Sequence, residues 1–105
     1  MTYRLTITEV QVSILPEDNV NHGAYALQVS YRGDGRWAVM HMRWCLGRDG
    51  EWEPSPSERD DAWLAEHRFT YEEACALASD AVYDVQVNRI SARDVLAKIK
   101  ASAQA

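Results

Sequence analysis

Apolar and polar residues alternate through the first half of the chain, and the clearest alternation predicts a β-hairpin. Within residues 24–33, four apolar side chains alternate with small or polar ones, which is the period of a strand. Asp34-Gly35 supplies the positive-φ residues of a two-residue turn into a second strand at about residues 36–46. Counting outward from that turn places Val29 opposite Met40, and every pair on that face is apolar. The pattern therefore predicts the register as well as the strands.

Two further strands are expected on either side of this hairpin. Residues 2–15 alternate with a change of phase midway, which requires a bulge or a bend. A second Asp-Gly turn suggests that residues 51–53 fold back as a short fourth strand. A three-residue loop with a bulge glycine would pair Leu46 with Trp52 on the apolar face, and we favour it over a two-residue loop that pairs Gly47 with Trp52.

Helical spacing and capping residues predict two or three helices after the strands. Ser55-Pro56 offers a cap followed by proline, and Thr70 with Glu73 forms a capping box. The region after Thr70 either bends near Asn88 or forms two helices, and Ser91 as a further cap favours two. The predicted helices span about residues 56–67, 71–87 and 92–102.

This order of elements predicts an α+β fold, in which an antiparallel β-meander of three to four strands is followed by two or three helices packed on one face. The 105 residues fit a single domain, residues 1–105. No apolar run approaches the roughly 20 residues that span a bilayer. The start of the chain lacks a signal-peptide pattern and there are only two, widely spaced, cysteines, so we expect a cytoplasmic protein.

Charge is unevenly distributed along the chain, whose net charge is −5. Residues 48–84 carry eleven acidic residues and three arginines. An acidic middle argues against a nucleic-acid partner, which requires a basic surface. Mimicry of nucleic acid by the carboxylates of residues 49–61 is a weaker alternative. Turns, a short polar strand and helix capping explain five of them, the net charge of the region is modest, and arginines interrupt the run.

Residues with catalytic or metal-binding chemistry are scattered. His41 and Cys45 are four residues apart on one strand, and His67 and Cys75 follow much later. Paired ligands such as Cys-x-x-Cys, which zinc sites use, do not occur. We therefore predict no catalytic residue, no metal site and no cofactor.

The second face of the predicted sheet is the best candidate for an interaction surface. In the predicted register it carries Gln28, Arg32, Trp37, His41 and Arg43. Tryptophan and arginine are enriched at binding hot spots. An antiparallel sheet can leave one face solvated, which would make this face available for binding. The alternative is that part of the first strand, after its change of phase, or the chain end covers it.

Several segments resemble small uncharacterised proteins of actinobacteria and their bacteriophages. The resemblance is carried by residues 31–39, 44–46 and 48–53 and by the Phe-Thr-x-x-Glu-Ala start of a helix at residues 69–74. It covers about residues 24–80. It implies a small phage or phage-derived accessory protein and transfers no functional residue.

Three functions are compatible with these features. The leading hypothesis is a non-enzymatic protein-binding module that acts on a host protein, or one that self-associates through its final helix. The alternative is a small-ligand site between sheet and helices, lined by Trp44, Trp52 and Trp63. An acidic mimic of nucleic acid is the third.

Overall fold

The computed structural model describes residues 2–103 and shows a five-stranded antiparallel meander with three α-helices, which confirms the predicted α+β class. Strand order in the sheet follows chain order. The strands of the sheet are β1 (Glu9–Val12), β2 (Leu27–Tyr31), β3 (Trp37–His41), β4 (Trp44–Leu46) and β5 (Trp52–Pro54). The remaining elements are α1 (Asp61–His67), α2 (Tyr71–Ala81), a 3₁₀ turn (Val82–Asp84), a small hairpin of β6 (Gln86–Val87) and β7 (Ile90–Ser91), and α3 (Ala92–Ala103).

The β2–β3 hairpin closes with a three-residue loop, so the predicted two-residue turn and its register are wrong by one residue. Val29 pairs with Val39, where the predicted register paired it with Met40. The loop is Gly33-Asp34-Gly35, and all three residues have positive φ. Gly33 joins the turn because glycine adopts this conformation without a steric penalty. A shift of one residue moves every β3 side chain to the opposite face of the sheet.

The predicted strand at residues 36–46 is broken into β3 and β4 by a tight turn at Met42-Arg43. Met42 adopts a φ of 57°, which a residue with a side chain rarely does, and so the sequence gives no turn signal there. The next turn follows the prediction. Leu46 pairs with Trp52, and Gly50 has the positive φ expected of the bulge position.

The strand predicted at residues 2–15 is regular only over the four residues of β1. Thr8 still accepts a hydrogen bond from the Tyr31 amide at 2.8 Å, but β2 then turns into its hairpin loop. Within residues 2–103, no strand pairs with residues 2–7, and we call these residues the N-terminal arm. Its three large apolar side chains, all 74–90% exposed, are Tyr3, Leu5 and Ile7.

The main core lies between the sheet and α2, which packs on β2 and β3. α3 packs against the 3₁₀ turn and β7 and adds apolar side chains at the edge of this core. The core's fully buried residues include Leu27, Val29, Val39, Phe69 and Val82.

The expectation that the helices pack on one face holds for α2 and α3 only, because α1 lies on the other face. Cys45 of β4 and Glu53 of β5 are cross-strand partners. Their side chains point to the face opposite that of Leu46 and Trp52, which belong to the core side. Nε2 of His67, in α1, lies 3.3 Å from the carboxylate of Glu53. The chain crosses from this face to the core where Phe69 pairs with Trp37 in an isolated β-bridge.

The first predicted helix start is wrong. The amide of Ser55 donates to the carbonyl of Arg43 at 3.2 Å, so this part of the chain remains tied to the sheet. The helix begins at Asp61, six residues later than Ser55. Its cap is Asp60, whose side chain accepts from the Trp63 amide at 2.7 Å.

The other two predicted helix starts are confirmed. The Thr70 side chain and the Glu73 side chain form the reciprocal hydrogen bonds of a capping box. The Ser91 hydroxyl accepts from the Asp94 amide at the start of α3, and the break near Asn88 is the turn of the β6–β7 hairpin. No helix within residues 2–103 is long and apolar enough to cross a bilayer.

Truncation of the buried aromatic ring that joins the helices to the sheet tests this packing. Phe69→Ala should lower the free energy of unfolding by about 3–5 kcal/mol, because the site is fully enclosed. Leu5→Ala, in the exposed arm, is the matched control and should change it by less than about 0.5 kcal/mol. Urea unfolding measures both, and comparable losses in the two variants would contradict the described arm and core.

Candidate functional site

A cleft of about 370 Å³ opens on the α2 side of the sheet, at the end formed by β3, β4 and β5. One wall is this end of the sheet and the other is the chain that follows α2. We call it the tryptophan cleft. Its lining residues are His41, Trp44, Trp52, Asp84, Val85 and Gln86.

The register of the sheet brings the aromatic wall together. His41 pairs with Trp44 across the β3–β4 turn, and Trp52 pairs with Leu46 of the core, so the three rings share one face. Nε2 of His41 lies 3.0 Å from the carbonyl oxygen of Ala24, which fixes the ring orientation. The rings of His41 and Trp52 meet edge to face with centroids 6.4 Å apart.

The chemistry of the cleft favours a positively charged group with an apolar stem. Trp44 is 47% exposed, so much of its indole surface is available for contact. The face of an indole ring attracts a cation through its quadrupole. Asp84 adds a carboxylate, whose Oδ1 lies 3.5 Å from the guanidinium of Arg93. The volume lies at the lower end of the range for small-ligand pockets, roughly 300–1,000 Å³.

Two of the three tryptophans predicted to line a site between sheet and helices are in the cleft. Trp44 and Trp52 lie there, as expected. Trp63 belongs to α1 on the opposite face, where its ring stacks on His67 at a centroid distance of 4.1 Å. The difference follows from the crossing of the chain between the two faces.

The structure does not bring the residues of the predicted interaction face together. Trp37 and His41 lie on the core side of the sheet, because β3 is shifted by one residue. Gln28 and Arg32 point to the opposite side, and Arg43 lies in the β3–β4 turn. The predicted face therefore does not exist as one surface.

Trp37 has a structural role that accounts for its position. Its ring lies between those of Tyr31, at a centroid distance of 5.3 Å, and Tyr71, at 4.8 Å. Aromatic pairs at these distances stabilise a fold beyond their area of burial. The three rings join β2, β3 and the start of α2.

The rest of the cleft wall was missed by sequence reasoning. Asp84 and Gln86 fall in a segment predicted as the end of a long helix, whereas the chain forms a 3₁₀ turn and the two-residue strand β6. Asn88 is the local signal in the sequence for the turn between β6 and β7. In the structure Asn88 and Arg89 both have positive φ. Asparagine is enriched in that conformation, and it marks the turn.

The two cysteines differ in environment. Cys45 is fully buried, and burial raises the pKa of its thiol, although the nearby Arg68 guanidinium opposes this. Cys75 lies half-buried on α2. Within residues 2–103, no group of three or more His, Cys, Asp or Glu side chains is placed to bind a metal ion.

No protein-family model matches this chain, and neither a curated protein nor a solved structure matches it. The candidate site therefore rests on the residues and geometry described above.

Thiol labelling tests the assignment of the two cysteines. At pH 8, Cys75 should react first with an aromatic disulfide reagent. Cys45 should react about two orders of magnitude more slowly, because the raised pKa leaves it protonated and reaction requires local opening. Cys75→Ser should leave only the slow phase and Cys45→Ser only the fast one. Equal rates in the folded protein would contradict the buried position of Cys45.

Proposed function

We propose that this protein is a non-enzymatic protein-binding module whose tryptophan cleft receives a lysine or arginine side chain of its partner. The observation that supports this proposal is the combination of Trp44, Trp52 and Asp84 around one open cleft. Indole faces and a carboxylate together favour a cation over a neutral group of the same shape.

The expected energies are consistent with an anchoring contact. A cation over a tryptophan ring contributes roughly 0.5–2 kcal/mol, with the larger value when both are desolvated. Burial of the exposed part of Trp44 under a partner would add a hydrophobic contribution, and tryptophan commonly carries binding energy at interfaces. A single side chain would bind weakly, and a partner surface around it would supply the remaining affinity.

The polar groups of the cleft support binding over catalysis. His41 has its Nε2 occupied by the carbonyl of Ala24, and the carboxylate of Asp84 faces Arg93. Neither side chain has a nucleophile as a hydrogen-bond partner among residues 2–103, as a catalytic base requires. The resemblance to actinobacterial and phage proteins suggests a phage-derived accessory protein that acts on a host protein in the host cytoplasm.

A small cationic metabolite is the second candidate for the cleft. The volume of about 370 Å³ would enclose an amine or guanidine of modest size. The same aromatic and acidic groups would bind it, so the two candidates differ in affinity for the isolated group and in the need for a protein surface.

Titration with blocked amino acids followed by NMR tests the cleft chemistry. Acetyl-arginine amide and acetyl-lysine amide should shift the indole signals of Trp44 and Trp52, while those of Trp37 and Trp63 stay in place. Acetyl-norleucine amide, which has the stem without the charge, should bind at least about fivefold more weakly, corresponding to about 1 kcal/mol of cation–π attraction. Equal shifts with norleucine, or shifts of all four indoles, would contradict the proposed cleft.

Capture from host lysate distinguishes the two candidates. A stoichiometric protein that is retained by the wild type and by Tyr3→Ala, but lost with Trp44→Ala, would support the protein-binding module. Binding of a free amine or guanidine at micromolar concentration, without a retained protein, would favour the small-ligand site.

A further inference from the structure

Arg68 is a buried cation at the end of α1. The residue is 8% exposed, and its guanidinium carbon lies 5.2 Å from the centre of the ring of Trp63 in α1. Nη1 donates to the carbonyl of His67 at 3.0 Å and lies 4.0 Å from Sγ of Cys45. No carboxylate within residues 2–103 lies within 4 Å of it. A charge in such a position is costly unless an opposite charge or several hydrogen bonds compensate it.

The β-bridge of Phe69 explains why Arg68 is there. Phe69 points into the core, so the preceding residue is directed to the opposite face of the sheet. Burial lowers the pKa of Arg68, and repulsion from Arg32 and Arg59 adds to the lowering. The electrostatic attraction and hydrogen bond of Cys45 oppose it. Arginine nevertheless keeps its charge in proteins, so the positive charge remains on this face.

Arg68 lines a cavity of about 230 Å³. We call it the arginine cavity. Its lining residues are Arg32, Gly33, Asp34, Arg36, Leu64 and Arg68. Three arginines thus face one carboxylate, and none of the three forms an ion pair with a residue of the described chain.

This positive cavity contrasts with the rest of an acidic protein of net charge −5. Two other arginines have carboxylate partners: Arg48 pairs with Glu73 at 3.2 Å and Arg93 with Asp84 at 3.5 Å. The arginines of the cavity are left with donors to spare, because a guanidinium carries five N–H groups in a planar fork. That fork matches two oxygens of a phosphate or carboxylate at once.

We propose that the arginine cavity binds a phosphate-type oxyanion, either inorganic phosphate or the phosphoryl group of an ester. Arg68 is the preorganised anchor, because packing against Trp63 and Cys45 holds it in place. Arg32 and Arg36 flank the hairpin loop at the cavity mouth and supply the remaining donors. The volume accommodates one phosphoryl group with a few waters or a small ester.

This site is separate from the tryptophan cleft. Arg68 and Cys45 lie on the α1 face, whereas Trp44 and Trp52 lie on the α2 face. The guanidinium of Arg68 lies over the ring of Trp63. The indole signal of Trp63 should therefore respond to binding in the arginine cavity and not to binding in the tryptophan cleft. A negative result for one site would therefore leave the proposal for the other site unaffected.

The test uses inorganic phosphate and phenyl phosphate, with sodium chloride at matched ionic strength. Both phosphates should raise the melting temperature by an amount that saturates as their concentration increases. In NMR spectra they should shift the indole signal of Trp63 but not those of Trp44 and Trp52. Arg36→Gln should weaken binding by about tenfold, since a charge-assisted contact is lost. Arg93→Gln removes the same charge from a paired surface position and should bind like the wild type.

Each outcome is informative. Tighter binding of phenyl phosphate would identify a phosphoester as the ligand, and equal binding would identify the free ion. An equal effect of chloride, or unchanged phosphate binding by Arg36→Gln, would overturn the proposal and leave Arg68 as a purely structural cation. Because Arg36 is exposed, its replacement does not depend on the stability of the core.

Discussion

The architecture depends on one short piece of antiparallel pairing, the bridge between Trp37 and Phe69. The Trp37 amide donates to the Phe69 carbonyl at 2.7 Å, and the Phe69 amide donates back to the Trp37 carbonyl at 2.9 Å. These two bonds join the helical half of the chain to the middle strand of the sheet. They also decide which residue enters the core and which enters the opposite layer, because side chains alternate along an extended backbone.

Both candidate sites follow from that crossing. With Phe69 in the core, α2 covers β2 and β3 and leaves the far end of the sheet open, where the tryptophan cleft forms. With Arg68 on the other side, α1 covers part of β4 and β5 and encloses a positive charge. The sheet therefore has a helix on each face and a cavity on each face: the tryptophan cleft, which suits a cation, and the arginine cavity, which suits an anion.

Sequence reasoning succeeded where a local interaction determines the structure. The capping box of Thr70 and the pairing of Leu46 with Trp52 depend on residues close in sequence, and both are confirmed. It failed at two turns of the sheet. Gly33 allows a longer loop, and Met42 makes a turn without glycine, so neither is visible in the pattern of residues. The site was predictable in part: Trp44 and Trp52 were identified, but the second wall depends on where the chain goes after α2.

The N-terminal arm has a consequence for behaviour in concentrated solution. β1 is an edge strand, paired within the described chain only with β2, and the N-terminal arm that precedes it carries exposed apolar side chains. Such an edge is a template on which a strand of another molecule can add. Arg4 interrupts the apolar side chains, and the negative net charge keeps molecules apart. Colloidal stability of this protein therefore rests on electrostatic repulsion, which salt screens.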